Sequence, residues 1–291
     1  MATMNYGAVR MLVSVESSQV RWGLRNAFTR AGVGTVHEAG TKEQLYRTLS
    51  EVELDLIVMT SDLQGDFVGQ LIGQMRCGQL GVHPFAVTVM MLPMAERALL
   101  ARAIDCGPDD LLLMPVAPGQ ILARIESLAH SRKPFMVSQD YTGPDRRSEK
   151  KLTAEEVTLV DVPNPLRART TNTPVAQLNA EIAKAAVRLN VVTLERYLIQ
   201  LYWLYANMKK ALSGPEVDEP ALRSHAIRVQ QVAEDIIVRL PDPTGTVASL
   251  ANAVAASGST IFDEGARTTT STLDGLSAAC ARLAKEIKQR I

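Results

Sequence analysis

The sequence predicts two domains: a doubly wound, five-stranded parallel α/β domain, then an all-α helical bundle. Three observations carry this. Between Val9 and His130, short apolar runs alternate five times with segments of helical spacing, the pattern of a parallel sheet with helices on both faces. One run, Leu-Asp-Leu-Ile-Val-Met-Thr at 54–60, is almost continuously apolar, as a central strand buried on both sides requires. Beyond Pro174 the apolar residues keep helical spacing and no strand signal remains. A chain of 291 residues suits about two domains. Residues 1–132 are assigned to the α/β domain, 133–173 to a linker and 174–291 to the helical domain.

The elements follow in order. The run at 9–15 is the first strand, and Ser17 or Ser18 can cap a helix over 19–30, where Val20, Leu24, Ala27 and Phe28 share a face. Gly32 ends that helix. Residues 35–38 read as the second strand, and Thr41 caps a helix through Leu45, Leu49 and Val52. After the strand at 54–60, a loop with Gly65 leads to a helix over 68–76. Residues 85–92 form the fourth strand, and Pro93 starts a helix carrying Ala98, Leu99, Ala101 and Ile104. Residues 111–114 form the fifth strand, and Pro118 opens a helix over 120–130. Chemistry in such sheets sits at the carboxyl ends of the strands.

Gly107-Pro-Asp-Asp-Leu-Leu-Leu-Met-Pro115 resembles the end of a response-regulator receiver domain, whose run is Gly-Ala-Asp-Asp-Tyr-hydrophobic-x-Lys-Pro. The resemblance covers residues 8–132 and implies a receiver, flavodoxin-like fold with a phosphorylation site at its strand ends. At the first strand, receivers read Val-Asp-Asp-Ser, the acids holding Mg2+; this chain reads Ser14-Val15-Glu16-Ser17. At the third strand, Thr60 falls where the phosphorylated Asp belongs. An ungapped reading from Pro84 puts Val89 at the hydroxyl position of the fourth strand, with Thr88 beside it. Met114 replaces the Lys, Leu111 replaces the Tyr, and Pro115, which in receivers follows a cis peptide bond, is retained.

Phosphoryl transfer needs a carboxylate nucleophile, several hard oxygen ligands for Mg2+ and a cation for the developing charge. The expectation is therefore a pseudo-receiver with no catalytic residue, metal or cofactor. A gapped alignment would instead bring Asp62 or Asp66 to the cleft, though Val89 and Met114 would still be unsuited. An apolar mouth made by Val89, Leu111 and Met114 would relieve carboxylate repulsion and hold one conformation. In the resembled family the fourth and fifth helices carry output, which makes Arg97, Arg102 and Arg124 candidate docking residues.

The linker holds Tyr141-Thr-Gly-Pro-Asp-Arg146-Arg147, similar to a motif found after bacterial receivers. Gly143-Pro144 makes a turn, and the two arginines suit a carboxylate or phosphate. Tyr141, Arg146 and Arg147 are thus a candidate docking strip or anion site; the plain alternative is a solvated turn tying the linker to the first domain. Pro163, Pro165 and Pro174 read as a flexible or extended stretch.

The helical half is expected as three to five helices, one long over 174–212 with a break near Asn190 or Thr193, one over 220–240, and others over 246–256 and 273–291. Gly214-Pro215 and Pro241-Asp-Pro243 separate them. Tyr197, Tyr202, Trp203 and Tyr205 cannot all face one way, so part of that segment is core and part a partner patch or dimer seam, with Trp203 a candidate docking residue. His225 lies in a weak likeness to a phosphotransfer helix, but Val229 stands where that motif has Gly. A helix-surface histidine is the plainer reading.

Net charge is zero and the basic helix residues are interleaved with Glu234 and Asp235, which argues against nucleic acid. The cysteines Cys77, Cys106 and Cys280 have no metal spacing and fit a reducing compartment. With no leader pattern and no long apolar run, a cytoplasmic location is expected. The functional expectation is a non-enzymatic, phosphorylation-independent signalling adaptor that binds protein partners and could self-associate. The alternatives are a transcription or RNA regulator acting through the helical half, and a phosphorelay protein using His225.

Overall fold

The computed structural model describes residues 4–138, 140–146, 157–214, 216–240 and 242–290. The chain forms two compact units, Met1–Leu189 and Asn190–Ile291. The first unit opens with β1 (Arg10–Ser14), α1 (Ser18–Arg30), β2 (Thr35–Ala39), α2 (Lys42–Glu51) and β3 (Leu56–Thr60). A small hairpin follows, β4 (Asp62–Leu63) and β5 (Asp66–Phe67). Then come α3 (Gln70–Arg76), β6 (Val87–Leu92), α4 (Arg97–Asp105), β7 (Asp110–Leu113) and α5 (Pro118–His130).

Five of these strands make one parallel sheet in the order β2-β1-β3-β6-β7. Counting only its own strands, that is 2-1-3-4-5, the flavodoxin-like doubly wound order whose switch point lies between the first and third strands. Alternation along each strand fills both faces. Leu12, Ile57, Met59 and Met90 join Leu45 and Ile72 on one side. Met11, Val13, Val58, Val89 and Met91 join Phe28 and Ile125 on the other. Every residue of β3 and β6 is buried, which explains their continuously apolar sequence. Local signals act as expected. Ser17 caps α1 through Val20 N, Thr41 caps α2 through Gln44 N, and Gln44 Oε1 in return accepts from Gly40 N at 2.8 Å.

The stretch 133–173 departs from the linker reading. It contains β8 (Phe135–Val137), β9 (Thr142–Pro144) and β10 (Thr158–Val160), an antiparallel sheet in the order β10-β8-β9, and then α6 (Pro165–Thr170). These belong to the first unit, which therefore runs past residue 132. The physical reason is burial: Phe135, Val137, Val160 and Leu166 are all inside. Pro165 begins α6 instead of breaking the chain, with Asn164 Oδ1 accepting from Arg167 N at 3.1 Å.

The long helix α7 (Val175–Leu212) has no break at Asn190 or Thr193, although the division between units falls inside it. Its second half, α8 (Glu219–Val238), α9 (Thr246–Glu264), a short 3-10 turn (Gly265–Arg267) and α10 (Thr270–Arg290) make the second unit. Leu201, Leu204, Val229, Val254, Leu276 and Leu283 lie in its single core. α9 runs through Gly258 and is interrupted only at Gly265. A Cβ on Gly258 would stand 3.0 Å from the Ala226 carbonyl oxygen, so this glycine lets α8 and α9 approach closely. Among the described residues no helix is long and apolar enough to cross a membrane.

Candidate functional site

The candidate site lies at the carboxyl ends of β1 and β3, flanking the switch point. β1 ends at buried Ser14, followed by buried Val15 and exposed Glu16. Arg21 on α1 turns back over this corner. Its Nη1 donates to the carbonyls of Val15 (2.6 Å) and Glu16 (3.0 Å), and its Nε lies 3.3 Å from Glu38 Oε2. Thr60 is the last residue of β3, nearly buried, and its Oγ1 donates to the Asp62 carbonyl at 2.8 Å. Buried Ser61, which the sequence did not single out, donates its hydroxyl to the Asp62 carboxylate.

The chain then makes the β4–β5 hairpin. Its two turn residues, Gln64 (φ 55°) and Gly65 (φ 84°), both have positive φ, as a tight two-residue hairpin demands. Glu16 Oε2 accepts the backbone N–H of Gln64 at 2.9 Å. The carboxylate that the receiver resemblance would give to a metal is here holding the tip of a hairpin. Asp66 stands exposed on the hairpin, 3.6 Å from Lys42 Nζ. Asp62 is taken up by Ser61. Among the described residues, no three His, Cys, Asp or Glu side chains gather as a metal-ligand group.

The position assigned to Val89 needs correction. β6 begins at Val87, so Val89 sits inside the strand, buried, paired with Val58 and Asp110. The strand continues three residues past Val89 to Leu92, whose carbonyl accepts Met114 N at 2.8 Å. Met91 lies opposite Thr60. Of the three residues expected at an apolar mouth only Met114 lies at the strand ends, since Leu111, paired with Met90, sits inside β7 as Val89 does inside β6. Met114 is half-buried against the Val13, Val15 and Met91 cluster, and the Met114–Pro115 peptide is cis. Pro115 itself is exposed.

At the opposite end of the sheet, where β6 and β7 begin, lies a second constellation that the sequence did not reveal. Asp109, from the Gly-Pro-Asp-Asp run, is buried between two guanidinium groups. Arg76 Nη2 reaches its Oδ2 at 2.8 Å, and Arg132 Nε reaches its Oδ1 at 2.8 Å. Fully buried Arg76 also donates to the carbonyls of Gly107 (2.8 Å) and Ala86 (2.9 Å). Both guanidiniums lie 5.0 Å from the centre of the Phe135 ring. Burial pushes the Arg76 guanidinium down to about 10, against the pull of Asp109. Burial alone would raise the Asp109 carboxyl, but Arg132 and Arg76 outweigh it and hold it below its ordinary value.

The Gly-Pro-Asp-Arg motif closes over this network. Gly107 and Gly143 meet so tightly that a Cβ on Gly143 would lie 2.7 Å from Gly107 Cα. Arg146 Nη2 donates to the Pro108 carbonyl at 2.6 Å, and Tyr141 Oη to the Pro144 carbonyl at 2.9 Å. Residues 142–144 are buried, so the motif is neither a solvated turn nor an open strip. Tyr141 and Arg146, expected as a docking strip or anion site or as a turn tying this stretch to the first domain, make the tie: the strand they flank is packed on the sheet's loops. Arg147 lies outside the described residues.

The other candidates scatter. Arg97 is exposed at the start of α4. Arg102 lies 4.1 Å over the Phe67 ring, against the hairpin. Arg124 pairs with Asp110. In the second unit, half-exposed Trp203 meets His225 edge to face, with ring centres 5.6 Å apart. His225 itself is half-buried.

No family profile matches the sequence, and no curated protein does. Solved structures do. A CheY-like receiver domain protein from Methanospirillum hungatei JF-1 shares 16% identity, covering 41% of this chain and 91% of that one, with a TM-score of 0.37. The receiver domain of a histidine kinase from Syntrophus aciditrophicus shares 16% identity over 50% of this chain and 99% of that one, TM-score 0.39. The N-terminal domain of an uncharacterized Wolinella succinogenes protein shares 20% identity over 42% and 95%, TM-score 0.37.

Proposed function

We propose that the first unit is a receiver-type module whose phosphorylation site has been replaced by fixed contacts, and that it acts as a phosphorylation-independent binding element of a bacterial signalling pathway. The observation that carries this reading is the Glu16–Gln64 contact. The acid left at the cleft is engaged as a backbone acceptor, and Thr60 offers a hydroxyl where transfer would need a carboxylate. Met114 brings no positive charge to the opposite wall. No reaction is assigned to the chain. Partners are proteins, met in the cytoplasm, and the docking candidates of the first unit are exposed Arg97, Arg102 and Arg124, the last two also held by Phe67 and Asp110 of the same unit.

The test is exposure to acetyl phosphate, or to beryllofluoride with Mg2+, followed by intact mass and amide NMR. No adduct and no shift at residues 14–16, 60–66 or 114 is expected. A stoichiometric adduct on Asp62 or Asp66, or beryllofluoride-induced shifts at those residues, would overturn the reading. Arg97→Glu should weaken capture of the partner that the wild-type chain binds, and unchanged capture would remove α4 from the surface.

A further inference from the structure

We propose that the second unit pairs with a second copy of itself through an antiparallel seam on α7. The helix carries two stripes at coiled-coil spacing, one apolar and one with an apolar centre and charged ends. The inner one, Leu194, Tyr197, Leu201, Leu204 and Met208, advances by steps of three and four and is buried in the unit's own core. The outer one, Glu195, Ile199, Tyr202, Ala206 and Lys209, advances by steps of four, three, four and three, and all five residues are exposed. Ile199 is 49% and Tyr202 73% open to solvent, and Trp203 beside them is 49% open. Alternating three–four spacing keeps one line of side chains facing a partner helix. Ile199, Tyr202 and Trp203 thus form an exposed apolar centre, flanked by Glu195 and Lys209 at the two ends of the line.

The charges say which occupant and which direction. Glu195 and Lys209 stand seven residues either side of Tyr202. In an antiparallel pair centred on Tyr202, each Glu195 meets Lys209 of the second copy, each Ile199 comes within one residue of register with the small Ala206, and the two Tyr202 rings meet on the twofold axis. A parallel pair would set Glu195 against Glu195 and Lys209 against Lys209. The stripe is thus complementary to itself in one orientation, which is what a closed twofold interface requires. It spans about 21 Å of helix, so the interface is at the small end of stable ones and the dimer should be concentration dependent. This inference stands on the second unit alone and does not depend on the reading of the first.

The experiment is light scattering of the full chain from about 1 to about 200 µM, with analytical ultracentrifugation for the dissociation constant. The mass should rise from 31.7 kDa toward twice that value. Glu195→Lys and Lys209→Glu should each weaken dimerisation about tenfold or more, and the double variant should return it to within about threefold of wild type. Ile199→Glu with Tyr202→Glu should give a monomer whose helical circular dichroism is unchanged, since both side chains lie outside the core. Tyr202→Cys should yield a crosslinked dimer on mild oxidation, with the wild-type cysteines as control. A monomer at all concentrations would overturn the proposal. So would a dimer indifferent to these substitutions, or a stripe that binds only a different protein.

Discussion

Glu16, two residues beyond the end of β1, accepts the backbone N–H of Gln64 at the tip of the β4–β5 hairpin, 2.9 Å away and 48 residues on. The contact joins the loops on either side of the sheet's switch point. Gln64 is held at φ 55°, a conformation that a side-chain-bearing residue adopts only with support. An exposed charge-assisted bond of this kind contributes about 0.5–1.5 kcal/mol locally. Glu16→Ala is therefore expected to speed hydrogen exchange of the Gln64 amide about two- to tenfold, with little effect on global stability. Glu16→Gln should restore part of the protection, because an amide oxygen can still accept. Equal exchange in all three proteins would show that the hairpin holds itself.

The Arg76–Asp109–Arg132 network predicts a much larger effect. Asp109→Ala would leave two buried guanidiniums facing each other with their shared carboxylate gone. Breaking a buried pair from one side costs about 3–5 kcal/mol. The urea midpoint should fall accordingly, and β8–β9 should lose protection with it, because Arg76 and Arg132 both lie against Phe135. Arg76→Met should cost less than Asp109→Ala, since it removes charge and leaves Asp109 still paired to Arg132. The reverse ranking would mean that the hydrogen bonds of Arg76 to Gly107 and Ala86 matter more than the charges.

The two predictions differ in how visible their residues were. The sheet was legible because alternation along strands such as 54–60 and helix spacing around Leu24 and Phe28 report burial directly. The Met114–Pro115 feature was legible because it rests on one contiguous motif. The contacts that define the site were not, since each joins distant residues of ordinary type. Nothing in the neighbourhood of Arg76 says that its carboxylate is 33 residues away. The β8, β9 and β10 strands are three residues long, too short for a period to show, and Pro163 and Pro165 next to them read as breakers. Val89 was misplaced because a count from Pro84 ignores where the sheet begins pairing, at Val87.

Gly258 offers a test of packing in the second unit. It lies in α9, where glycine costs about 1 kcal/mol relative to alanine, so its presence needs a reason. The Ala226 carbonyl oxygen 3.0 Å from a built Cβ, with Val229 and Gln230 side chains at 3.2 and 3.1 Å, supplies one. Gly258→Val should force α8 and α9 apart and cost about 1–3 kcal/mol. Gly258→Ala sets the helix gain against a shift of a few tenths of an ångström and should be near neutral. A stabilised Gly258→Val protein in thermal melts would show that the approach of the two helices is loose.

His83 predicts the pH dependence of the first unit. Its ring is 8% exposed, and Nδ1 accepts the Phe85 N–H at 3.1 Å, which fixes the neutral tautomer. Burial pushes its pKa down to about 4, against the favourable pull of Glu53 and Asp55. In the unfolded chain the same group titrates at about 6.5. Between those values the unfolded state binds a proton that the folded state refuses, so stability rises with pH across that window. The loss on acidification is about 3 kcal/mol in all: it is absent above about pH 6.5, grows as the pH falls and levels off below about 4. Glu53 and Asp109 are held below the usual carboxylate range, so their losses come at lower pH and leave the upper part of the window to His83. His83→Asn, whose side-chain oxygen can still accept from Phe85 N, should flatten the urea midpoint between about pH 4.5 and 6.5. A variant that keeps the wild-type slope would place the titrating group elsewhere.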